Sequence, residues 1–394
     1  MKKTKILRIV NRFNLGGITY NVTYLSKYLP EYYETKLIGG PEEKFEQNSL
    51  YIPQQVGLEP EIIFEMRRSI HPLQDFIAYR RIRQIIKEFK PDIVHTHASK
   101  AGFIGRLAAI HSGVPVIVHT FHGHVFNGYF SILKTTIFKW IERHLAKKTS
   151  MILAISQLQK IDLSKIHKIC VADKIKVIPL GFDLEKFAEN QLNKRATFRS
   201  THQLRPNELA IGIIGRLAPI KNHFMFLNSI IKLKQSTDIP FKALIIGDGE
   251  MRESLENYLN QRHISFNQPN SYIQFVGWVK EVDIGLAGLD LVCLTSNNEG
   301  TPVSLIEAQA AGKYIITTNV GGVQDILEES AGKLVEPGDE DMFALQLLEA
   351  VTNFKVYQNK ALIGQKQVIK KFSYDRLCHD MDELYKQLLS KAVD

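Results

Sequence analysis

Two carboxylates, Glu299 and Glu307, stand with seven residues between them in the stretch 296–308, SNNEGTPVSLIEA. The apolar run before it, residues 289–294, reads as a buried strand. Gly300 and Pro302 break that strand, and from Val303 the pattern is helical, with Leu305 and Ala308 on one side. Strand, turn and helix start therefore follow one another. A helix start presents unpaired N–H groups and partial positive charge, which favour an anion such as phosphate. The acids do the opposite. They accept hydrogen bonds from hydroxyl groups. Phosphate and polyol side by side imply a sugar nucleotide, held around Glu299, Gly300, Thr301, Pro302, Val303 and Glu307. Either Glu alone is an ordinary turn or helix residue, and it is the turn chemistry around the pair that points to a ligand.

Arg216 and Lys221 supply two cations after a second apolar run, residues 209–214, and Gly215. A guanidinium fork and a point charge at a strand end suit a diphosphate. Five of the thirteen histidines, His95, His97, His119, His122 and His124, lie at or near two strand ends in the first half. Three readings compete: a metal site, hydrogen bonds to substrate, or satisfied core histidines. Only Asp92 is nearby among carboxylates, at the wrong end of its strand, which argues against a hydrolytic metal. His122, just past a strand and followed by Gly123, is the one best placed to touch a sugar. Gly16 and Gly17, between the first strand and its helix, allow backbone to approach a ligand closely. Gly277 ends another strand, where a base would fit.

These residues require open parallel sheets, because such sheets collect ligands at the carboxyl ends of their strands. Apolar strand patterns alternate with helical ones from residue 6 to 183 and again from 209 to 335. A length of 394 residues also suggests two domains. The expected division is a first α/β domain at 1–190, a polar linker at 191–207, a second at 208–372, and a closing helix at 373–394. Amphipathic helices are expected at 343–354 and 377–389.

The formal net charge of +9 is uneven. Residues 1–190 hold 28 Lys and Arg against 17 Asp and Glu, or +11, and the remainder holds 22 against 24, or −2. The basic half is the one expected to meet an anionic surface or acceptor. Arg80, Arg81, Arg83, Lys87 and Lys90 fall on one expected helix. Lys134, Lys139, Arg143, Lys147 and Lys148 fall on another that also carries Ile137 and Trp140. Such a mixture suits either anionic lipid or an ordinary solvated helix face. No recognised nucleic-acid motif is present. The N-terminal apolar run is too short for a signal peptide, and no stretch approaches the roughly 18–20 apolar residues of a membrane span. Three widely spaced cysteines suggest neither disulfides nor zinc. A cytoplasmic chain, peripheral at most on the inner face of the cytoplasmic membrane, is the expectation.

Together these motifs resemble the family-4 retaining glycosyltransferases of the GT-B fold, in which two Rossmann-like domains face each other across a cleft. Residues 299–308, EGTPVSLIEA, resemble the family's E-x7-E motif. The triplet 215–217 with Lys221, Gly247-Asp248-Gly249, residues 275–277 and residues 178–183 match other landmarks in order. Asn222 departs from the pattern, standing where many relatives carry glycine. The resemblance implies that Arg216 and Lys221 hold the diphosphate, Glu307 the ribose, and Glu299 and His122 the transferred sugar, with Gly16 and Gly17 closing on the phosphates. Gly215 and Gly277 line the same donor site. His97, Lys100 and His124 are assigned to the acceptor, a glycan or lipid-linked sugar of the capsule, O-antigen or exopolysaccharide type, with a UDP-sugar as donor. The final helix is expected to return to the first domain. Neither cofactor nor metal is expected. The Asp-rich triplets 339–341 and 380–382 lie at the closing helices, away from any strand end, and read as solvated acids. A UDP-sugar 2-epimerase of the same architecture, a non-catalytic sugar-nucleotide binder and a metal hydrolase built on the histidines are the competing readings.

Overall fold

The computed structural model describes residues 3–14, 17–43, 48–67, 69–123 and 132–393. The chain forms two compact units, Met1–Phe182 with Phe372–Asp394, and Asp183–Lys371.

The first unit is built on seven strands: β1 (Thr4–Arg12), β2 (Tyr33–Gly40), β3 (Glu61–Ile62), β4 (Ile93–His97), β5 (Val116–Phe121), β6 (Met151–Ala154) and β7 (Ile175–Val177). They pair in parallel in the order β3-β2-β1-β4-β5-β6-β7. Alternation along each strand sends side chains to opposite faces. Ile6, Ile93, Val116 and Val118 pack against Leu25 of the helix Gly17–Lys27 and against Leu377, Met381 and Leu384 of the helix Tyr374–Val393. Leu7, Ile9, Val94 and Ile117 pack on the other face against the helices Pro72–Phe89 and Ser99–His111. The strand order reverses between β1 and β4, so the crossovers diverge there and leave a crevice at the carboxyl ends.

The second unit repeats the scheme with β8 (Leu209–Ile214), β9 (Phe241–Ile246), β10 (Ile273–Gly277), β11 (Leu291–Leu294), β12 (Tyr314–Thr318) and β13 (Gly332–Val335), in the order β10-β9-β8-β11-β12-β13. Its reversal lies between β8 and β11, the strands that lead into Lys221 and Glu299.

Three expectations need correction. Residues 191–207 are not an extended linker. Gln191–Thr201 is a helix packed on the helix Val282–Gly288, and the chain passes from the first unit to the second at Phe182–Asp183. The helix expected at 343–354 spans Glu340–Thr352, and a further helix, Phe354–Phe372, follows where none was expected. The acid triplets are not merely solvated. Asp339 caps the helix Glu340–Thr352 by accepting from Met342 N, Asp341 pairs with Lys232, Asp380 with Arg376, and Asp382 with Lys386.

Candidate active site

At the reversal of the second sheet, Lys221 Nζ lies 2.5 Å from Glu299 Oε1, with the two side chains 24% and 10% exposed. Ser296 Oγ donates to the same oxygen at 2.6 Å. Among the described residues Glu299 Oε2 has no hydrogen-bond partner, so it is available as an acceptor. The loops are stitched together from below. Thr295 Oγ1 donates to the carbonyls of Lys221 and Asn222 (3.1 and 3.0 Å), and Asn297 N donates to Ile220 O (2.8 Å). Asn222 occupies the left-handed region, φ 49° and ψ 51°. Asparagine tolerates that conformation nearly as glycine does, which explains the departure from the family pattern.

Glu299 is braced from behind by the turn after β12. Gly321 has φ +51°, and a Cβ there would stand 1.8 Å from Glu299 O. Gly322 N donates to that carbonyl at 3.3 Å. Gly300, Thr301 and Pro302 lead into the helix Val303–Ala310, whose first N–H groups lack intrahelical partners. Glu307 lies on this helix. Protein atoms crowd its carboxyl, and burial pushes its pKa up to about 7, opposed by Lys186 and assisted by Asp283.

Arg216 stands apart from this pair. It is 57% exposed and donates to Glu250 Oε2 at 2.9 and 3.1 Å. An exposed pair of this kind costs little to break, so Arg216 is free to exchange partners. Gly215 N donates to Ile246 O, and a Cβ on Gly247 (φ +135°) would meet Gly215 O at 2.0 Å, so these loops pack backbone on backbone. Gly277 accepts from Gly247 N at 2.8 Å. Trp278, which follows it, is 54% exposed.

In the first unit, the histidine cluster divides. His95 and His119 are fully buried in the sheet, bonded to Thr120 and Thr96 respectively. His97 is also fully buried, held between Arg8 and His122. It cannot touch an acceptor as expected, because alternation turns it into the layer beneath the helix Tyr374–Val393. Among the described residues no group of three or more His, Cys, Asp or Glu is arranged to hold a metal. His122 stands just past β5, its Nε2 2.9 Å from His97 Nδ1, and burial lowers its pKa to about 3. Lys100 pairs with Asp75 at 2.5 Å and is 12% exposed, so an acceptor would have to displace that pair. Gly17 opens the first helix. Gly16 and His124 lie outside the described residues. Sequence reasoning gave no role to Ser296, Thr295, Gly321 or Arg8. The first three are small residues with no spacing signal, and Arg8 is a cation inside an apolar strand, which is itself a signal.

A model for glycosyl transferases group 1 matches residues 208–353, and one for glycosyltransferase family 4 matches residues 15–186. The chain is 31% identical over 327 residues, 81% of its own length and 81% of the relative's, to a UDP-Gal:alpha-D-GlcNAc-diphosphoundecaprenol alpha-1,3-galactosyltransferase of Escherichia coli. It belongs to the family-4 glycosyltransferases. Capsular polysaccharide biosynthesis glycosyltransferase CapM of Staphylococcus aureus is 25% identical over 84% of this glycosyltransferase and 86% of CapM. In fold it is similar to HepE of Anabaena, solved in complex with UDP, with a TM-score of 0.80 at 19% identity, covering 98% of this chain and 100% of HepE. The two parallel-sheet units are those of GT-B glycosyltransferases.

Proposed function

We propose that this glycosyltransferase moves a sugar from a UDP-sugar, with retention of anomeric configuration and without a metal, to a hydroxyl of a lipid-linked glycan in bacterial surface polysaccharide assembly. The Lys221–Glu299–Ser296 contact at the reversal of the second sheet carries the reading. Breaking the anomeric bond places charge on the departing diphosphate. Lys221, Arg216 and the helix start at Val303 supply positive charge where it develops. Glu299 keeps an oxygen for a sugar hydroxyl, Glu307 accepts from the ribose, and His122 meets the sugar from the first unit. The leaving phosphate takes the acceptor's proton on the face it has just vacated. The relatives support the donor and acceptor classes: the Escherichia coli protein acts on UDP-Gal and a diphosphoundecaprenol-linked sugar, and HepE was solved with UDP.

The first unit supports a membrane-surface location, on the cytoplasmic face. The helix Pro72–Phe89 exposes Leu73, Phe76 and Ile77 in its first half and Arg80, Arg81, Arg83 and Lys87 in its second. Among the described residues no helix is long and apolar enough to cross a membrane.

The test is turnover of UDP-, GDP- and ADP-sugars in EDTA, with product configuration read by NMR, for wild type, Glu299→Gln and Lys221→Ala. One UDP-sugar consumed with retention by the wild type, and at least about 100-fold more slowly by both variants, is the expected result. Turnover lost in EDTA would remove metal independence, and a nucleotide-sugar inverted at C2, in place of released sugar, would favour the 2-epimerase.

A further inference from the structure

Arg8 is a fully buried cation, and among the described residues no ion pair involves it. Burying a charge without a counter-ion is costly, so its hydrogen bonds have to be accounted for. The register of β1 on β4 sets Arg8 across from His95 and Val10 across from His97. Arg8 Nη1 lies 2.9 Å from His95 Nδ1, 3.4 Å from His97 Nε2 and 3.4 Å from Tyr385 Oη, and Nη2 donates to Leu25 O at 3.2 Å. A guanidinium only donates. Nη1 carries two hydrogens for these three neighbours, and an imidazole N–H turned toward it would set hydrogen against hydrogen, so each ring nitrogen it faces presents a lone pair, and in a neutral ring the proton then sits on the other nitrogen.

That rule propagates. His97 accepts from Arg8 at Nε2, so it carries its proton on Nδ1. His97 Nδ1 is 2.9 Å from His122 Nε2, so it donates there. His122 Nε2 is then a lone pair, and the His122 proton is on Nδ1. Among the described residues that buried Nδ1 has no partner. A second branch fixes the source: His95 accepts at Nδ1 from Arg8, with Tyr385 Oη 2.7 Å from the same atom, and its Nε2 meets Thr120 Oγ1 at 2.8 Å.

We infer that Arg8 and His97 are positioning residues that lock His122 in the Nδ1–H tautomer, so that it meets the donor sugar as a hydrogen-bond donor and not as a base. The inference rests on the reading above that His122 touches the transferred sugar. A cation at the far end of two neutral rings also polarises the terminal N–H and strengthens it as a donor. A ring in this state cannot take the acceptor's proton at Nδ1, which leaves that task to the departing phosphate.

The experiment uses the full chain labelled with 15N-histidine. Long-range 1H–15N correlation distinguishes the two tautomers, and the His122 signals are identified by their loss in His122→Ala. The wild type should show His122 protonated on Nδ1. His97→Asn places an amide N–H where Nδ1 stood and should keep both that tautomer and kcat/KM within about threefold, since one hydrogen bond is exchanged for another. His97→Gln, whose amide reaches the Nε2 position instead, should release the tautomer and lower kcat/KM about tenfold, with UDP affinity unchanged. An Nε2–H tautomer in the wild type, or an unchanged one in His97→Gln, overturns the inference, and the wild-type spectrum decides even if a variant fails to fold. Full turnover by His122→Ala would instead remove the sugar contact and with it the donor role, while leaving the tautomer assignment standing.

Discussion

Glu307 offers a prediction in which stability and binding move in opposite directions. Its pKa rises from the ordinary 4.5 to about 7 because its carboxyl is crowded by protein. Between those two pH values the folded chain holds a proton that the unfolded chain has released, so stability falls as pH rises through that window and stays low above it. An interval of about 2.5 pH units at 1.36 kcal/mol each sets a ceiling of about 3.4 kcal/mol at pH 8. Glu307→Gln removes the ionisation. The variant should match the wild type near pH 4 and exceed it at pH 8 by about 2–3 kcal/mol, or several degrees in Tm. Donor binding should respond the other way. If ribose hydroxyls donate to the carboxylate, the ionised fraction rises from about one tenth at pH 6 to about nine tenths at pH 8, and UDP affinity rises about tenfold with it. In Glu307→Gln that slope should vanish and affinity should fall at pH 8. Calorimetric unfolding at pH 4, 6 and 8, with titration of UDP into both proteins, reads both effects. A stability difference that does not change with pH, or a UDP affinity equally flat in the wild type, would refute the reasoning.

Gly321→Ala places a methyl group against Glu299 O and asks an L-residue to hold φ +51°. The local strain of about 1–2 kcal/mol should shift the Glu299 loop and lower kcat/KM about tenfold or more, whereas wild-type turnover would show that the brace is unimportant. Arg106 and Glu142 form a buried pair at 2.6 Å, with side chains 0% and 8% exposed. Glu142→Ala should cost about 3–5 kcal/mol in urea unfolding, and a loss under about 1 kcal/mol would mean the cavity admits water. Sedimentation with anionic vesicles should retain the wild type but not Leu73→Glu with Phe76→Glu; equal retention of both would clear the helix Pro72–Phe89 of any part in it.

Sequence reading went furthest where residue type and backbone geometry agree. The apolar run before Ser296 and the break at Gly300 announced β11, the turn and the helix that carries Glu307. The repeated strand-helix alternation announced both sheets. What it missed depends on pairing between distant strands. His95, His97 and His119 looked like site residues because they end strands. Only the register of β1, β4 and β5 shows that alternation turns them inward, onto Arg8, Thr96 and Thr120. Arg216 and Lys221 read alike along the chain, yet one loop conformation sends Lys221 to Glu299 and the other leaves Arg216 on Glu250. The supposed linker failed on composition: polar residues at 191–207 suggested a tether, but Phe198 inserts beside Gly288 and anchors a helix.

Phe182 N donates to Phe372 O at 2.8 Å, and Tyr374 N donates to Phe182 O at 3.1 Å. The chain therefore leaves the first unit and re-enters it through one backbone bridge. In threading terms, residues 183–371 are a cassette inserted into a domain whose own path is otherwise continuous. The two ends of the excursion run in parallel at the bridge, so resealing the first unit after excision would take a crossover and not a tight turn, whereas another cassette whose ends lie equally close could be spliced into the same opening. Sequence change within the inserted unit need not disturb the threading of the first, because the junction to be preserved is only a few residues wide.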